Sequence, residues 1–392
     1  MCGIVGYTGK RSCSEILIDG LKRLEYRGYD SAGLAVQDGD GLKIVKAKGK
    51  VAFLEAEVAE LWPGRPCPAT CGIAHTRWAT HGEPSTVNAH PHFDQSGRLA
   101  IVHNGIIDNY SDLKKHLQQK GCEFKSETDS EVLAHLIAAC NEGDLLQAVA
   151  AALKQVKGTF GLAVLSADLP DTIIVARRGS PIVIGVGVSE TMVASDIAAL
   201  AAYTKRVIFL NDDDLAVITP ESIDIRSLEN VPVQREIAHI DWDAGAAEKS
   251  GYDHFMLKEI FEQPDAVANS IRGRLDRSTA TAALSGLNFS PRELALVNRI
   301  IIPACGTSMH AGMVGEYYFE DIAGIPAEVE QAAEFRYRNP ILNPYSLVIP
   351  ISQSGETADT LAAIREASNK GAEIAAICNV VGSTIARESG RV

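Results

Sequence analysis

Met1-Cys2-Gly3-Ile4-Val5-Gly6 opens the chain, and the reading of its second residue decides the rest. Removal of an initiator Met ahead of a small residue would leave Cys2 with a free α-amino group. One residue would then carry both a nucleophile and a base, since an α-amine titrates near ~7.7–8.0 and a thiol near ~8.5. A partly neutral amine can take the thiol proton, directly or through a water. The alternative is a small apolar residue that starts a buried strand. The motifs downstream of Cys2 favour the nucleophile.

The chain has 392 residues, enough for two or three domains. Hydrophobic residues make up 46% and charged residues 22%, with 33 glycines, as in an ordinary globular protein. No apolar run approaches the ~18–20 residues of a membrane span, and the start lacks the regions of a secretory signal. A cytoplasmic protein is therefore expected, with no membrane partner. A net charge of −13 argues against nucleic acid as a partner. The eight cysteines are scattered, which points to reduced thiols. Cys67, Cys71 and His75, or His90-Pro91-His92, could suggest zinc, but the chain has no second close cysteine pair. Neither a metal nor an organic cofactor is expected.

Ser12 and Glu15 predict a capping box for a helix that buries Leu17, Leu21 and Leu24 and stops at Gly28. Ala32–Val36 and Leu42–Ala47 read as strands, Val51–Leu61 as a helix, and Cys71–Trp78 and Leu99–His103 as strands. A helix through Leu113 and Leu117 ends at Gly121. Another, capped by Thr128 with Glu131, buries Leu133, Leu136, Ile137 and Cys140. Short β-rich runs come next, at 161–166, 172–176, 182–186, 207–210 and 215–219. Together they predict a layered α+β domain ending near residue 225.

Two spots in that domain could carry chemistry. Asn104-Gly105 reads either as a β-turn or as an oxyanion hole made of the Asn104 amide and the Gly105 N–H. Arg77 and Asp129 read either as ordinary charges or as clamps on the carboxylate and the ammonium of an amino acid.

The set Cys2-Gly3-Ile4-Val5-Gly6, Glu25-Tyr26-Arg27-Gly28-Tyr29-Asp30-Ser31-Ala32-Gly33, His75-Thr76-Arg77-Trp78-Ala79-Thr80-His81-Gly82 and His103-Asn104-Gly105-Ile106 resembles the N-terminal-nucleophile glutaminase domain. More narrowly, it resembles the glutamine–fructose-6-phosphate aminotransferase family. The resemblance implies a four-layer αββα sandwich. It places the nucleophile on Cys2, the oxyanion donors on Asn104 and Gly105, and glutamine binding on Arg77, Thr80, His81 and Asp129. Arg27 and Trp78 fall in the neighbouring site and gate. The implied partners are glutamine and fructose 6-phosphate, with a homodimer in the complete enzyme.

Residues 226–250 read as a polar linker, and Tyr252–Pro264 as a helical stretch broken at Pro264. The last third has a parallel α/β pattern. Ser290, Pro291 and Glu293 start a helix. The strand Arg299–Ala304 runs into Cys305-Gly306-Thr307-Ser308, and Ser346–Ile351 runs into Ser352-Gln353-Ser354-Gly355-Glu356-Thr357. Hydroxyl residues at two strand-to-helix junctions are either ordinary caps or a phosphate cradle at helix N-termini. This region resembles a sugar-isomerase (SIS) αβα domain, which puts sugar-phosphate contacts on Thr307, Ser308, Ser352, Gln353, Ser354 and Thr357.

The expected layout is a glutaminase domain at 2–225, a linker at 226–250 and an incomplete SIS domain at 251–392. A third strand at 373–380 is the last before Val392. The family's isomerase half continues further, so a truncated chain is expected, with strand edges left uncovered. The expected function is a glutamine-dependent amidotransferase whose synthase activity is weak or absent in this chain. The alternatives are an uncoupled glutaminase fragment or a non-catalytic sugar-phosphate-binding protein.

Overall fold

The structure is a computed structural model that describes every residue except 1, 26, 27, 29, 80, 81, 241–251, 277, 279, 283, 285 and 381. The chain divides into two compact units, Met1–Phe255 and Met256–Val392.

The first unit starts with β1 (Gly3–Thr8), α1 (Cys13–Leu24), β2 (Ser31–Asp38), β3 (Gly41–Lys48), α2 (Val51–Leu61) and β4 (Cys71–Arg77). Next come β5 (His92–Phe93), β6 (Leu99–Ile107), α3 (Tyr110–Gln119), α4 (Glu131–Cys140) and α5 (Leu145–Gln155). It ends with β7 (Gly158–Ser166), β8 (Ile173–Arg178), β9 (Val183–Val186), β10 (Thr191–Ala194), β11 (Arg206–Phe209), β12 (Asp214–Ile218), β13 (Ile223–Ser227) and β14 (Ala238–His239). One antiparallel sheet runs β14-β11-β9-β10-β1-β4-β2-β3, and a second runs β13-β12-β8-β7-β6-β5.

Strand alternation explains how the layers meet. Ile4 of β1 joins Ile73, Val102, Leu165, Val175 and Val193 in the core between the two sheets. Val5 points the other way, against α1, where an added Cβ at Gly20 would lie 2.9 Å from Val5 Cγ1. Gly20 therefore lets the helix sit close on the central strand. On the outer side of the second sheet, Val132, Leu136, Val149 and Leu153 of α4 and α5 pack on Ile101, Leu162 and Ile174. The result is the expected αββα sandwich.

Several local expectations are corrected. Ser12 makes no capping bond: its hydroxyl faces Ser14 Oγ at 3.4 Å. The start of α1 is held instead by the Cys13 N–H on the Ala69 carbonyl at 2.9 Å. Thr128 does not cap α4 either, because its hydroxyl pairs with His92 Nε2 at 3.0 Å. Helix α5 was not anticipated, although Leu145, Ala148, Val149, Ala152 and Leu153 form a helical stripe and the Asp144 side chain caps it. Of the expected linker at 226–250, residues 226–240 carry two short stretches of strand. β13 runs to Ser227 and Ala238–His239 pair with β11; the rest of the expected linker lies outside the described residues.

The second unit contains α6 (Phe255–Ile271), β15 (Leu275–Asp276), β16 (Thr281–Ala282), α7 (Pro291–Leu296), β17 (Arg299–Ala304) and α8 (Thr307–Tyr318). It continues through β18 (Ala327–Gln331), α9 (Ala332–Tyr337), β19 (Ser346–Val348), β20 (Ile351–Ser352), α10 (Ala358–Asn369), β21 (Glu373–Ile374), β22 (Ile377–Cys378) and α11 (Thr384–Glu388). Helix α6 passes through Pro264 rather than breaking there. The helix is exposed along 259–271, so water can take the carbonyl that Pro264 leaves without a donor. The Ser290–Glu293 capping box forms as expected.

β17, β19, β20, β21 and β22 form a parallel sheet, and β18 pairs with the other edge of β17. Pro350, which has no N–H to donate, separates β19 from β20. The expected third strand is likewise split into β21, beside β19, and β22, beside β20. Both faces of β17 are covered. Ile301 packs with Phe335, Leu361 and Ile364, while Ile300 and Ile302 pack with Leu347 and Phe319. Phe261, Tyr317 and Ile322 stay exposed. No helix among the described residues is long and apolar enough to cross a membrane.

Candidate active site

Cys2 stands at the mouth of the sandwich, one residue before the central strand. Gly3 pairs with Thr76 and Ile4 with His75, so the end of β4 lies beside the thiol. Trp78, the first residue past β4, donates its N–H to Cys2 Sγ at 3.2 Å, and the thiol faces the Trp78 carbonyl at 3.6 Å. The exposed Trp78 ring covers Gly28, where φ is +141° and an added Cβ would come 2.2 Å from the ring. That is the close approach for which glycine is needed.

Asn104 and Gly105 reach the same place from the other sheet. They do not form a turn: β6 continues to Ile107, with Asn104 opposite Gly161 and Gly105 opposite Phe160. Gly105 has φ +137°, and an added Cβ would lie 2.1 Å from the Thr159 carbonyl oxygen, which excludes other residues. The Asn104 Nδ2 donates to the Cys2 carbonyl at 3.3 Å. Two residues past Gly105 along β6, the Ile107 N–H donates to Asp129 Oδ2 at 2.8 Å.

Arg77 ends β4 and is buried, with its guanidinium on the carbonyls of Gly82 (2.9 Å) and Glu83 (3.2 Å). Burial lowers its pKa, and the facing Cys2, Asp30 and Asp129 oppose that. Asp129 is also buried, just ahead of α4. The Asn88 side chain ties the two loops together, donating to the Glu83 carbonyl and to Glu127 Oε2 and accepting from the Glu127 N–H. Cys2, Arg77, Trp78, Asn104, Gly105 and Asp129 are thus gathered in one unit. Arg27, Thr80 and His81 lie outside the described residues.

Sequence reasoning weighed His75 as a metal candidate and quoted His75 and His103 within the motifs, but gave neither a role in the site. His75 Nε2 lies 2.9 Å from Asn104 Oδ1, and His103 Nδ1 lies 2.8 Å from the Ser130 hydroxyl. The signal available was two histidines on strands that alternate inward beside the motif residues.

In the second unit, the loops 305–308 and 352–357 follow neighbouring strands. β18 lies on one side of β17 and β19–β20 on the other, so the winding direction changes between them and both loops border that crevice. Thr307 and Ser308 open α8 after Gly306, whose φ is +57°. Ser352 Oγ lies 3.1 Å from Thr357 Oγ1 and accepts from the Gly355 N–H at 3.0 Å, while Ser354 Oγ accepts from the Glu356 N–H at 3.2 Å. Gln353 is exposed. The hydroxyls therefore shape a compact turn, and Thr360 Oγ1 reaches Cys305 Sγ at 3.9 Å to join the loops. Among the described residues, no group of three His, Cys, Asp or Glu could hold a metal ion.

Comparison with known proteins agrees with this layout. A glutamine amidotransferase domain model matches residues 75–202, and a SIS domain model matches 293–392. The glutamine–fructose-6-phosphate aminotransferase (isomerizing) of Symbiobacterium thermophilum is 50% identical over 389 residues, 99% of this chain and 63% of that protein. That of Chlorobaculum tepidum is 51% identical over 393 residues, 99% of this chain and 64% of that protein. The chain thus spans somewhat under two thirds of these relatives' length. The glutamine phosphoribosylpyrophosphate amidotransferase of B. subtilis shares the fold, with a TM-score of 0.52 at 19% identity, over 96% of this chain and 81% of that one. With half its residues identical over nearly its whole length, and both domains in order, this chain is similar to the glutamine–fructose-6-phosphate aminotransferases across a glutamine amidotransferase domain and a SIS domain.

Proposed function

We propose that the first unit hydrolyses glutamine and that, in the complete enzyme, the released ammonia aminates fructose 6-phosphate to glucosamine 6-phosphate. The observation that carries the reading is the convergence of Trp78 and Asn104 on Cys2 from two different sheets. Once Met1 is removed, the α-amine takes the thiol proton. The sulfur then bonds to the glutamine amide carbon, and the carbonyl oxygen becomes an oxyanion held by Asn104 Nδ2 and the Gly105 N–H. Collapse expels ammonia, which takes the proton from the amine, and leaves a thioester. Water attacks that thioester through a second oxyanion, releasing glutamate and restoring the thiol.

Arg77 is suited to the substrate carboxylate and Asp129 to its ammonium, and the resemblance adds Thr80 and His81 as further glutamine-binding residues, with Arg27 and Trp78 in the neighbouring site and gate. Thr307, Ser308, Ser352, Gln353, Ser354 and Thr357 are suited to the sugar phosphate, at the carboxyl ends of adjacent parallel strands. The glutaminase domain extends at least to β14, and the complete enzyme is a homodimer in the cytoplasm.

The test is glutamate release by the purified chain, with intact mass to follow Met1. Cys2→Ala abolishes release and leaves the circular dichroism spectrum unchanged. Release that persists in Cys2→Ala, or full activity in a chain that retains Met1, overturns the reading.

A further inference from the structure

The Asn104 amide has two ends, and only the nitrogen can serve an oxyanion. Which end faces Cys2 is decided behind it. His75, on β4, is fully buried, and its Nε2 lies 2.9 Å from Asn104 Oδ1 and 3.1 Å from the His103 carbonyl oxygen. The His103 carbonyl belongs to the backbone and can only accept, so Nε2 carries the ring proton. With an N–H there, only the carbonyl end of the Asn104 amide fits against the ring. Nδ2 is thereby turned the other way, to the Cys2 carbonyl at 3.3 Å.

The rest of the ring's surroundings preserve this state. Burial pushes the His75 pKa down to about 3, against a raising effect from Asn104, so the ring stays neutral. Among the described residues its Nδ1 has no hydrogen-bond partner, and the ring packs on His90 with centroids 4.0 Å apart. His90 in turn meets the ring of His92, whose Nε2 bonds Thr128 Oγ1. The imidazole is wedged in one orientation between its strand and this cluster.

We propose that His75 is a positioning residue for the glutaminase reaction: its Nε2–H sets the Asn104 amide with the nitrogen toward the oxyanion. This rests on the glutaminase reading above and names what aims one of its donors.

The test uses glutamate release by the purified 392-residue chain. His75→Leu removes the N–H and keeps the bulk, whereas His75→Gln puts an amide N–H near the position of Nε2. His75→Leu lowers kcat by about 10- to 100-fold with KM changed by less than about twofold, and His75→Gln restores most of the loss. Introduced into Asn104→Ala, His75→Leu changes kcat by less than about twofold, because the donor it serves is already gone. A purely structural role would lower kcat again in that background. The tautomer is read independently in the unmutated chain from 15N-labelled histidine, where His75 shows Nε2–H at pH 7. This measurement decides the matter should His75→Leu not fold.

A proton on Nδ1, an unchanged kcat in His75→Leu, or an equal loss in the Asn104→Ala background overturns the proposal. Glutamate release that survives Cys2→Ala would instead overturn the glutaminase reading, so the two failures are distinguishable.

Discussion

The backbone of Trp78 closes on the sulfur of Cys2 from two sides, with its N–H at 3.2 Å and its carbonyl at 3.6 Å. The N–H favours a thiolate and the carbonyl favours a thiol, so the pair suits the proton loss and gain that the proposed reaction asks of Cys2. Residue 78 can do this because β4 and β1 are neighbours, and Gly3 opposite Thr76 fixes the register.

Trp78 depends on Gly28. Gly28→Ala adds a Cβ that would come 2.2 Å from the indole, at a φ of +141° that L-residues rarely adopt. Displacement of the ring and strain of about 1–3 kcal/mol are expected. Glutamate release should fall, and the midpoint of thermal unfolding with it. Unchanged values for both would show that the packing against Trp78 is dispensable.

Asn104→Ala removes the amide nitrogen that reaches the Cys2 carbonyl and that the proposed reaction assigns to the oxyanion. A fall in kcat of about 10²–10³ is expected, with a much smaller change in KM. Steady-state kinetics check it, and kcat near the unmutated value would exclude the oxyanion role.

Arg77→Ala and Asp129→Ala should act on glutamine binding, raising KM by at least about tenfold, the effect of losing one charge-assisted contact. Asp129 also accepts the Ile107 N–H, so Asp129→Asn separates charge from this bond. Substrate titrations of the three variants should show KM raised in all of them, and Asp129→Asn matching the unmutated KM would remove the ammonium role.

The buried histidines make stability depend on pH. Burial holds His75 at about 3 against an ordinary 6.5, and His90 and His92 well below theirs. The unfolded chain then binds protons that the folded chain refuses, so stability is complete above about 6.5 and falls as pH drops toward 3. His75 alone accounts for about 2 kcal/mol of loss by pH 5. Glu131 adds to the loss at lower pH. Burial raises its pKa, but the His135 ring 3.7 Å away, the Lys125 and Ser126 N–H groups and the Ser126 hydroxyl outweigh this and hold it at about 2. Its contribution is therefore lost as pH falls from about 4.5 toward 2. Urea unfolding at pH 8 and pH 5 tests this, with equal midpoints contradicting it.

The amino-acid order by itself determined the motifs and most elements. Helix α1 buries Leu17, Leu21 and Leu24, α2 occupies Val51–Leu61, and β17 runs Arg299–Ala304, because periodicity and flanking glycines are local signals. Cys2, Arg77 and Asn104 could be named because they lie in the short motifs that carry the family resemblance, and the same resemblance placed a role on Asp129. The tertiary structure decided what those stretches do together. Asn104-Gly105 could be a turn by its local chemistry. Only pairing with Gly161 and Phe160 holds it in a strand, and only the Thr159 carbonyl explains the glycine. The caps expected at Ser12 and Thr128 failed for a similar reason: distant partners, Ala69 for the start of α1 and His92 for Thr128, satisfied the groups first. His75 shows the limit most plainly. Its identity is visible in the sequence, but its tautomer, and through it the direction of the Asn104 amide, is set by a carbonyl 28 positions away that β-sheet packing brings to 3.1 Å.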